Sequence, residues 1–174
     1  EHDEMAAALL FTPYPDLAEK VAREVQKQLQ TLPKKAIIEK SLSQYGAIII
    51  TSDIAQAVEL TNLFAPEHLE LMVEDPADLV GQIHSAGSVF LGSYTPEALG
   101  DYIAGANHIL PTEGTARFSS PLGVYDFYKR MSVLSFSQTA FEKLSGPTQH
   151  FAQMEELYAH ANSVRVRSTP GKGK

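Results

Sequence analysis

Hydrophobic and polar positions alternate in short blocks along the first half of the chain. Ala6-Ala7-Ala8-Leu9-Leu10-Phe11 is a brief apolar run bounded by Pro13 and Pro15, the pattern of a buried strand. Leu17, Val21, Val25 and Leu29 then recur every fourth residue, with Glu19, Lys20, Arg23 and Lys27 on the other face and Pro33 as a stop. That periodicity predicts an amphipathic helix with those four apolar positions turned inward. Ala47-Ile48-Ile49-Ile50 is β-branched and leads into Ser52-Asp53, so a strand should hand over to an N-cap and a helix carrying Ile54, Ala57, Val58 and Thr61. The unit repeats with a strand at Leu69-Glu70-Leu71-Met72-Val73, a helix opening at Pro76-Ala77-Asp78-Leu79-Val80 and a strand at Ser88-Val89-Phe90-Leu91. Strands separated by helices, each uniformly apolar, predict an α/β fold of parallel β-α-β layers, an incomplete Rossmann-like arrangement with its strands covered on both faces.

Beyond Gly92 the pattern changes. Thr95-Pro96-Glu97 has a capping hydroxyl followed by proline, the signature of a short helix leading into Gly100-Asp101. Residues 102–121 are polar and glycine-rich with no sustained period, and a loop of that length in a compact chain is commonly functional. From Gln138 the helical spacing returns through Phe141, Leu144, Phe151, Met154, Leu157 and Tyr158, with a break expected at Gly146-Pro147. The division expected is therefore an α/β domain over residues 1–130 and a helical C-terminal appendage over 131–174.

Composition narrows the function. Acidic side chains outnumber basic ones 21 to 14, a formal charge of −7, and the only basic cluster is the tail from Arg165-Val166-Arg167 to Lys174, expected to be a frayed end. Nucleic-acid binding is disfavoured, since phosphate contacts need clustered Lys and Arg. The absence of cysteine excludes disulfides and thiolate metal sites. No apolar run approaches the roughly 18 residues of a membrane span, so no membrane partner and a cytoplasmic setting are expected. The first residue is Glu, so the chain is expected to be part of a longer one.

The chemistry-bearing residues fall in three places. In Ala65-Pro66-Glu67-His68-Leu69 a carboxylate and an imidazole adjoin where a helix gives way to a strand. A carboxylate can activate water and an imidazole can move a proton near neutral pH, the pair that oxidation of an alcohol through an aldehyde to an acid requires. The structural alternative is a capping Glu67 and a packed His68. Asp101 and His108, set among Gly100, Gly105 and Asn107, offer oxygen and nitrogen to a borderline cation such as zinc, or else form an Asx turn beside a surface histidine. Glu155 and His160 are five residues apart, rotated by about 140° on a straight helix, so they meet one ligand only from different sides or across a bend. The alternative is an acidic face with His160 at the negative end of the helix dipole. His84 and His150 read as structural or solvated. No Gly-x-Gly-x-x-Gly follows any strand, and the only Gly-x-Gly is Gly171-Lys172-Gly173 at the very end, so a dinucleotide site is not evident here.

These stretches together resemble the C-terminal part of the histidinol dehydrogenase family. The resemblance is carried by Ala65-Pro66-Glu67-His68-Leu69-Glu70, Ser85 to Gly92, Gly100-Asp101-Tyr102 through Asn107-His108-Ile109-Leu110-Pro111-Thr112, Arg117-Phe118-Ser119-Ser120-Pro121-Leu122-Gly123, and Glu155 to His160 with Ala161-Asn162-Ser163-Val164. It implies oxidation of L-histidinol to L-histidine through L-histidinaldehyde, in histidine biosynthesis, with two NAD and one zinc ion. By the same resemblance Glu67 activates the water that hydrates the aldehyde and His68 accepts the alcohol proton. His2, Asp101 and His160 would hold zinc, with a Gln three residues upstream of His2 that this chain lacks. His2, His68, Asp101, His108, Glu155 and His160 would contact substrate. The family further implies a homodimer in which the C-terminal segment crosses to the partner subunit, so that Glu155 and His160 complete the neighbour's site. Most of the NAD site would lie in an N-terminal half not present here, and the isolated chain is expected to be inactive. Two other readings remain open at this stage: a non-enzymatic dimerising binding module that keeps the fold, and a zinc hydrolase using Glu67 as base.

Overall fold

The computed structural model describes residues 1–168, and these divide into two compact units, one up to Phe127 and one from Tyr128 onward. In the first unit the order is β1 (Leu9–Thr12), α1 (Pro15–Leu29), α2 (Lys35–Tyr45), β2 (Ala47–Ile50), α3 (Ile54–Phe64), β3 (His68–Leu71), α4 (Ala77–Val80), β4 (Ser88–Leu91) and α5 (Glu97–Tyr102). The strands pair in parallel as expected: β1 with β2 in the register Leu9 to Ala47, and β3 with β4 in the register His68 to Ser88. Among the described residues they form two separate two-stranded sheets.

Local chemistry explains most boundaries. Pro15 opens α1, where its missing N–H is no loss. Asp53 caps α3, its Oδ1 accepting from the Gln56 N–H at 2.8 Å, an interaction worth about 1 kcal/mol. α3 ends on Ala65, which adopts the left-handed conformation at φ 56° and donates its N–H to the Thr61 carbonyl. α2, between Pro33 and β2, is a helix the periodicity did not predict: its eleven residues include Lys35, Glu39, Lys40 and Gln44, and only Ser41 is buried.

Three expectations are corrected. The apolar stripe of α1 is not wholly inward: Leu29 is buried and Val21 half-buried, but Leu17 and Val25 are exposed and Ala18 takes the buried place. Likewise β2 is not covered on both faces, since Ile48 and Ile50 are 39% and 49% exposed; among the described residues each strand has one partner. Thr95 does not cap α5. Its hydroxyl donates to the Leu91 carbonyl instead, and the first N–H of the helix, that of Glu97, is met by the Glu70 carboxylate at 2.9 Å. Between α5 and the end of the unit the chain is irregular, as expected, apart from short 3-10 turns at Thr115–Arg117 and Val124–Phe127.

The second unit comprises α6 (Gln138–Met154) and α7 (Tyr158–Ser168), which pack on each other. Ser137 caps α6, accepting from the Ala140 N–H. The expected break at Gly146-Pro147 does not occur. α6 continues through Pro147, with the Thr148 hydroxyl and the Gln149 side-chain amide donating to the Leu144 and Ser145 carbonyls in that turn. The chain breaks instead at Glu155-Glu156, where Glu156 adopts φ 59°. Arg165 and Arg167 belong to α7 and are not frayed; the remainder of the basic tail and Gly171-Lys172-Gly173 lie outside the described residues. Among the described residues no helix is long and apolar enough to cross a membrane.

Candidate functional site

Glu67 and His68 enter β3 from the left-handed turn at Ala65, and consecutive residues of an extended chain face opposite sides. The two side chains accordingly separate. Glu67, half-buried, lines a cavity of about 800 Å³ together with Phe11, Ile49, Phe64, Thr112 and Arg117. His68 turns the other way, toward Phe90 of β4 and the start of α5. Its ring lies 6.0 Å from that of Phe90, tilted by 39°.

The same face of α5 presents two carboxylates to His68. Glu97 and Asp101 are one helical turn apart, and Glu97 Oε1 and Asp101 Oδ1 each lie 3.7 Å from His68 Nε2. What allows α5 to approach so closely is Gly100. A Cβ at that position would stand 2.5 Å from Cε1 of Phe90, so only glycine lets the helix rest on the ring that also flanks His68. Glu70, two residues along β3 from His68, holds the helix start through the Glu97 N–H.

His68 Nε2 is buried and has no hydrogen-bond partner. An unpaired buried nitrogen is uncommon, and a proton-transfer role, a bound ion or an ordered water would each account for it. Burial pushes the Glu97 carboxyl above the usual carboxylate range. Its hydrogen bond with Asp101 and the Asp101 charge push the same way, while the imidazoles of His68 and His2 pull it down. His2 is therefore close enough to act on this cluster, although the segment carrying it is exposed. His68, Glu97 and Asp101 each offer one atom within 4.8 Å of the others, a spacing that one metal ion could span.

His108 lies on the exposed loop after α5. Asn107 forms the Asx turn there, its Oδ1 accepting from the Ile109 N–H at 2.7 Å and its Nδ2 donating to the Leu122 carbonyl. Asp101, by contrast, is half-buried at His68, so the two candidate ligands of this stretch have different surroundings. In the second unit, Glu155 and His160 line one hollow of about 510 Å³ with Phe151, Leu157 and Val164. The break between α6 and α7 removes the 140° separation of a straight helix, and it places His160 in the first turn of α7, the positive end of that helix dipole. His84 and His150 are exposed.

Glu97 is the site residue that sequence reasoning missed. The sequence marks it only as the start of a helix, although its i, i+4 spacing to Asp101 sets both carboxylates on one face. What the spacing could not supply is the register of β3 and β4, which brings His68 to that face.

Comparisons with known proteins agree with one another. The family model for histidinol dehydrogenase matches residues 1–168. The histidinol dehydrogenase of Caldanaerobacter subterraneus subsp. tengcongensis is 51% identical over 96% of this chain, and that of Bacillus subtilis is 49% identical over the same share. The chain spans 39% of the length of each of these relatives. A crystal structure of histidinol dehydrogenase from Elizabethkingia anophelis superimposes with a TM-score of 0.87 at 34% identity, over 95% of this chain and 38% of that one. On the strength of the family match and of these identities, the chain belongs to the histidinol dehydrogenase family.

Proposed function

We propose that this chain supplies the acid–base half of an L-histidinol-oxidising site, and that His68 and Glu67 serve its two successive oxidations. The observation that carries the reading is the buried, unpaired Nε2 of His68 beside the carboxylates of Glu97 and Asp101. In the first oxidation His68 Nε2 accepts the proton of the substrate hydroxyl as the carbon loses a hydride. The imidazolium so formed is balanced by the two carboxylates 3.7 Å away. In the second, Glu67 takes a proton from the water that adds to the aldehyde carbonyl, giving the hydrate from which the second hydride departs. The two proton transfers use separate groups with different surroundings, Glu67 at the cavity it lines and His68 beside Glu97 and Asp101. Two NAD molecules, bound in turn, would each accept one hydride; none of the residues named above is assigned to that site.

The donor set at the cluster, imidazole nitrogen and carboxylate oxygen, fits zinc. Asp101 and His2 would hold the ion, joined by His160 from the second unit of a partner copy, and an ion held there would serve to orient substrate. Glu155 and His108 would contact substrate, and the working unit would be a homodimer with shared sites, with the 174-residue chain inactive by itself.

The spacing of His68, Glu97 and Asp101 favours a second reading in which those three residues bind the ion and His68 is a ligand. Zinc content of His68→Asn in an enzyme of the relatives' full length decides between them. Retained zinc with alcohol oxidation lowered by about 10²–10⁴-fold supports His68 as base. Loss of zinc supports His68 as ligand. NADH formation from histidinol tests the whole reading, since a hydrolase or a binding module would produce none.

A further inference from the structure

We propose that Arg117 is a positioning residue for Glu67, acting by bracing the turn that delivers that carboxylate to its cavity; the inference rests on Glu67 being the water-activating base. Three backbone carbonyls hold the turn. On one side the Pro66 and Glu67 carbonyls accept from the Gly87 and Ser88 N–H groups at 2.9 and 2.8 Å, tying it to the start of β4. On the other, the last carbonyls of α3 have no partner within the helix, and the Arg117 guanidinium meets one of them: Nη2 donates to the Leu63 carbonyl. Its Nη1 donates to the Gly114 carbonyl at 3.0 Å, closing the clamp on its own loop.

The loop is shaped to receive this fork. Gly114 sits at φ 76°, a conformation costly to any residue with a Cβ, and a Cβ there would overlap Arg117 Nη1. A planar guanidinium can address two carbonyls from one side chain, whereas an ammonium on a flexible stem cannot hold both in fixed geometry. Arg117 also lines the same cavity as Glu67, so the clamp and the carboxylate share one wall. Loosening the clamp frees the end of α3 four residues before Glu67, and displacement of a catalytic group by about 1 Å costs up to about 10²-fold in rate.

The consequence is selective. The carboxylate serves the aldehyde step, while His68 on the opposite face is held by Phe90 and by α5. In an enzyme of the relatives' full length, Arg117→Ala and Arg117→Lys are assayed separately for histidinol and histidinaldehyde oxidation, beside Glu67→Gln. The expected result is a fall in kcat for the aldehyde of about ten-fold or more, with histidinol oxidation and both KM values within about two-fold of the parent. Millimolar guanidinium should restore much of the aldehyde rate to Arg117→Ala and none to Glu67→Gln. Equal loss in both oxidations, or no loss in either, overturns the inference so long as Glu67→Gln has lost the aldehyde step. If Arg117→Ala does not fold, Arg117→Lys, which keeps the charge but not the planar fork, carries the same comparison. Should Glu67→Gln retain aldehyde oxidation, it is the assignment of Glu67 that falls.

Discussion

The two units present their functional side chains in opposite ways. Up to Phe127, His68 comes from β3 and Glu97 and Asp101 from α5, and they meet only because Glu70 holds the helix start and Gly100 admits the Phe90 ring. From Tyr128 onward, Glu155 and His160 are brought to one hollow by a single left-handed residue between two helices. The first arrangement is half-buried and leaves a nitrogen without a partner. The second is open: no residue of α6 is buried, and Phe151, Met154 and Tyr158 are largely exposed. Proton chemistry needs burial and fixed neighbours, which long-range packing provides. Glu155 and His160 instead stand on helices that the single chain leaves exposed, and whether a second copy covers them, as proposed above, is open to test.

The sharpest way to break that contrast is subunit mixing. His68→Asn and His160→Asn homodimers of the full-length enzyme should each lose about 10²-fold or more in histidinol oxidation. Dissociated together and reassembled, they should regain measurable NADH formation, because one site of each mixed dimer combines an intact His68 with an intact His160. No recovery, with mixed dimers demonstrated by mass spectrometry, would mean that His160 serves its own chain.

Substituting glycine by alanine once in each unit sharpens the comparison further. Gly100→Ala places a methyl against the Phe90 ring, which must yield or push α5 outward. Overpacking of this kind costs about 1–3 kcal/mol, and it should also weaken zinc binding by moving Asp101. Gly146 lies within α6 with nothing within 4 Å of an added Cβ. There the same change should stabilise the helix by about 0.5–1 kcal/mol. Denaturant unfolding of the two variants reads opposite signs if the first unit is packed at its helix and the second is not.

How much of this was legible in the sequence follows the same division. The Ala47–Ile50 and Ser88–Leu91 strands, the Asp53 cap and the parallel pairing were readable because apolar runs and caps act over a few residues. The end of the long C-terminal helix was not: Gly146-Pro147 carries every local signal of a stop, yet the helix continues and breaks at Glu155-Glu156, where no glycine or proline stands. Glu67, His68 and Asp101 could be singled out by type and spacing. Glu97 could not, because its role depends on which strand lies opposite α5, and register is a property of the packed chain.

The smallest effects concern the segment that carries His2, which two tethers join to α2. The buried Ser41 hydroxyl donates to the Ala6 carbonyl at 2.7 Å, and the Lys40 ammonium pairs with Glu4 at the surface. Ser41→Ala leaves a carbonyl unmet and should cost about 1 kcal/mol in denaturant unfolding. Lys40→Met should produce no resolvable change in melting temperature near neutral pH, since exposed ion pairs contribute little. The hydrogen bond to Glu4, and then the Glu4 charge, raise the Lys40 pKa above its usual 10.5. A folded pKa raised above the unfolded one gives a contribution fully present below about 10.5 and lost as pH climbs through the higher folded value. Melting temperatures of the parent and of Lys40→Met should thus coincide within error throughout pH 6 to 9, with no pH-dependent difference in that range. A gap that opens or closes between pH 6 and 9 would show that Lys40 senses a group other than Glu4, and that the His2 segment is held differently from the two tethers described.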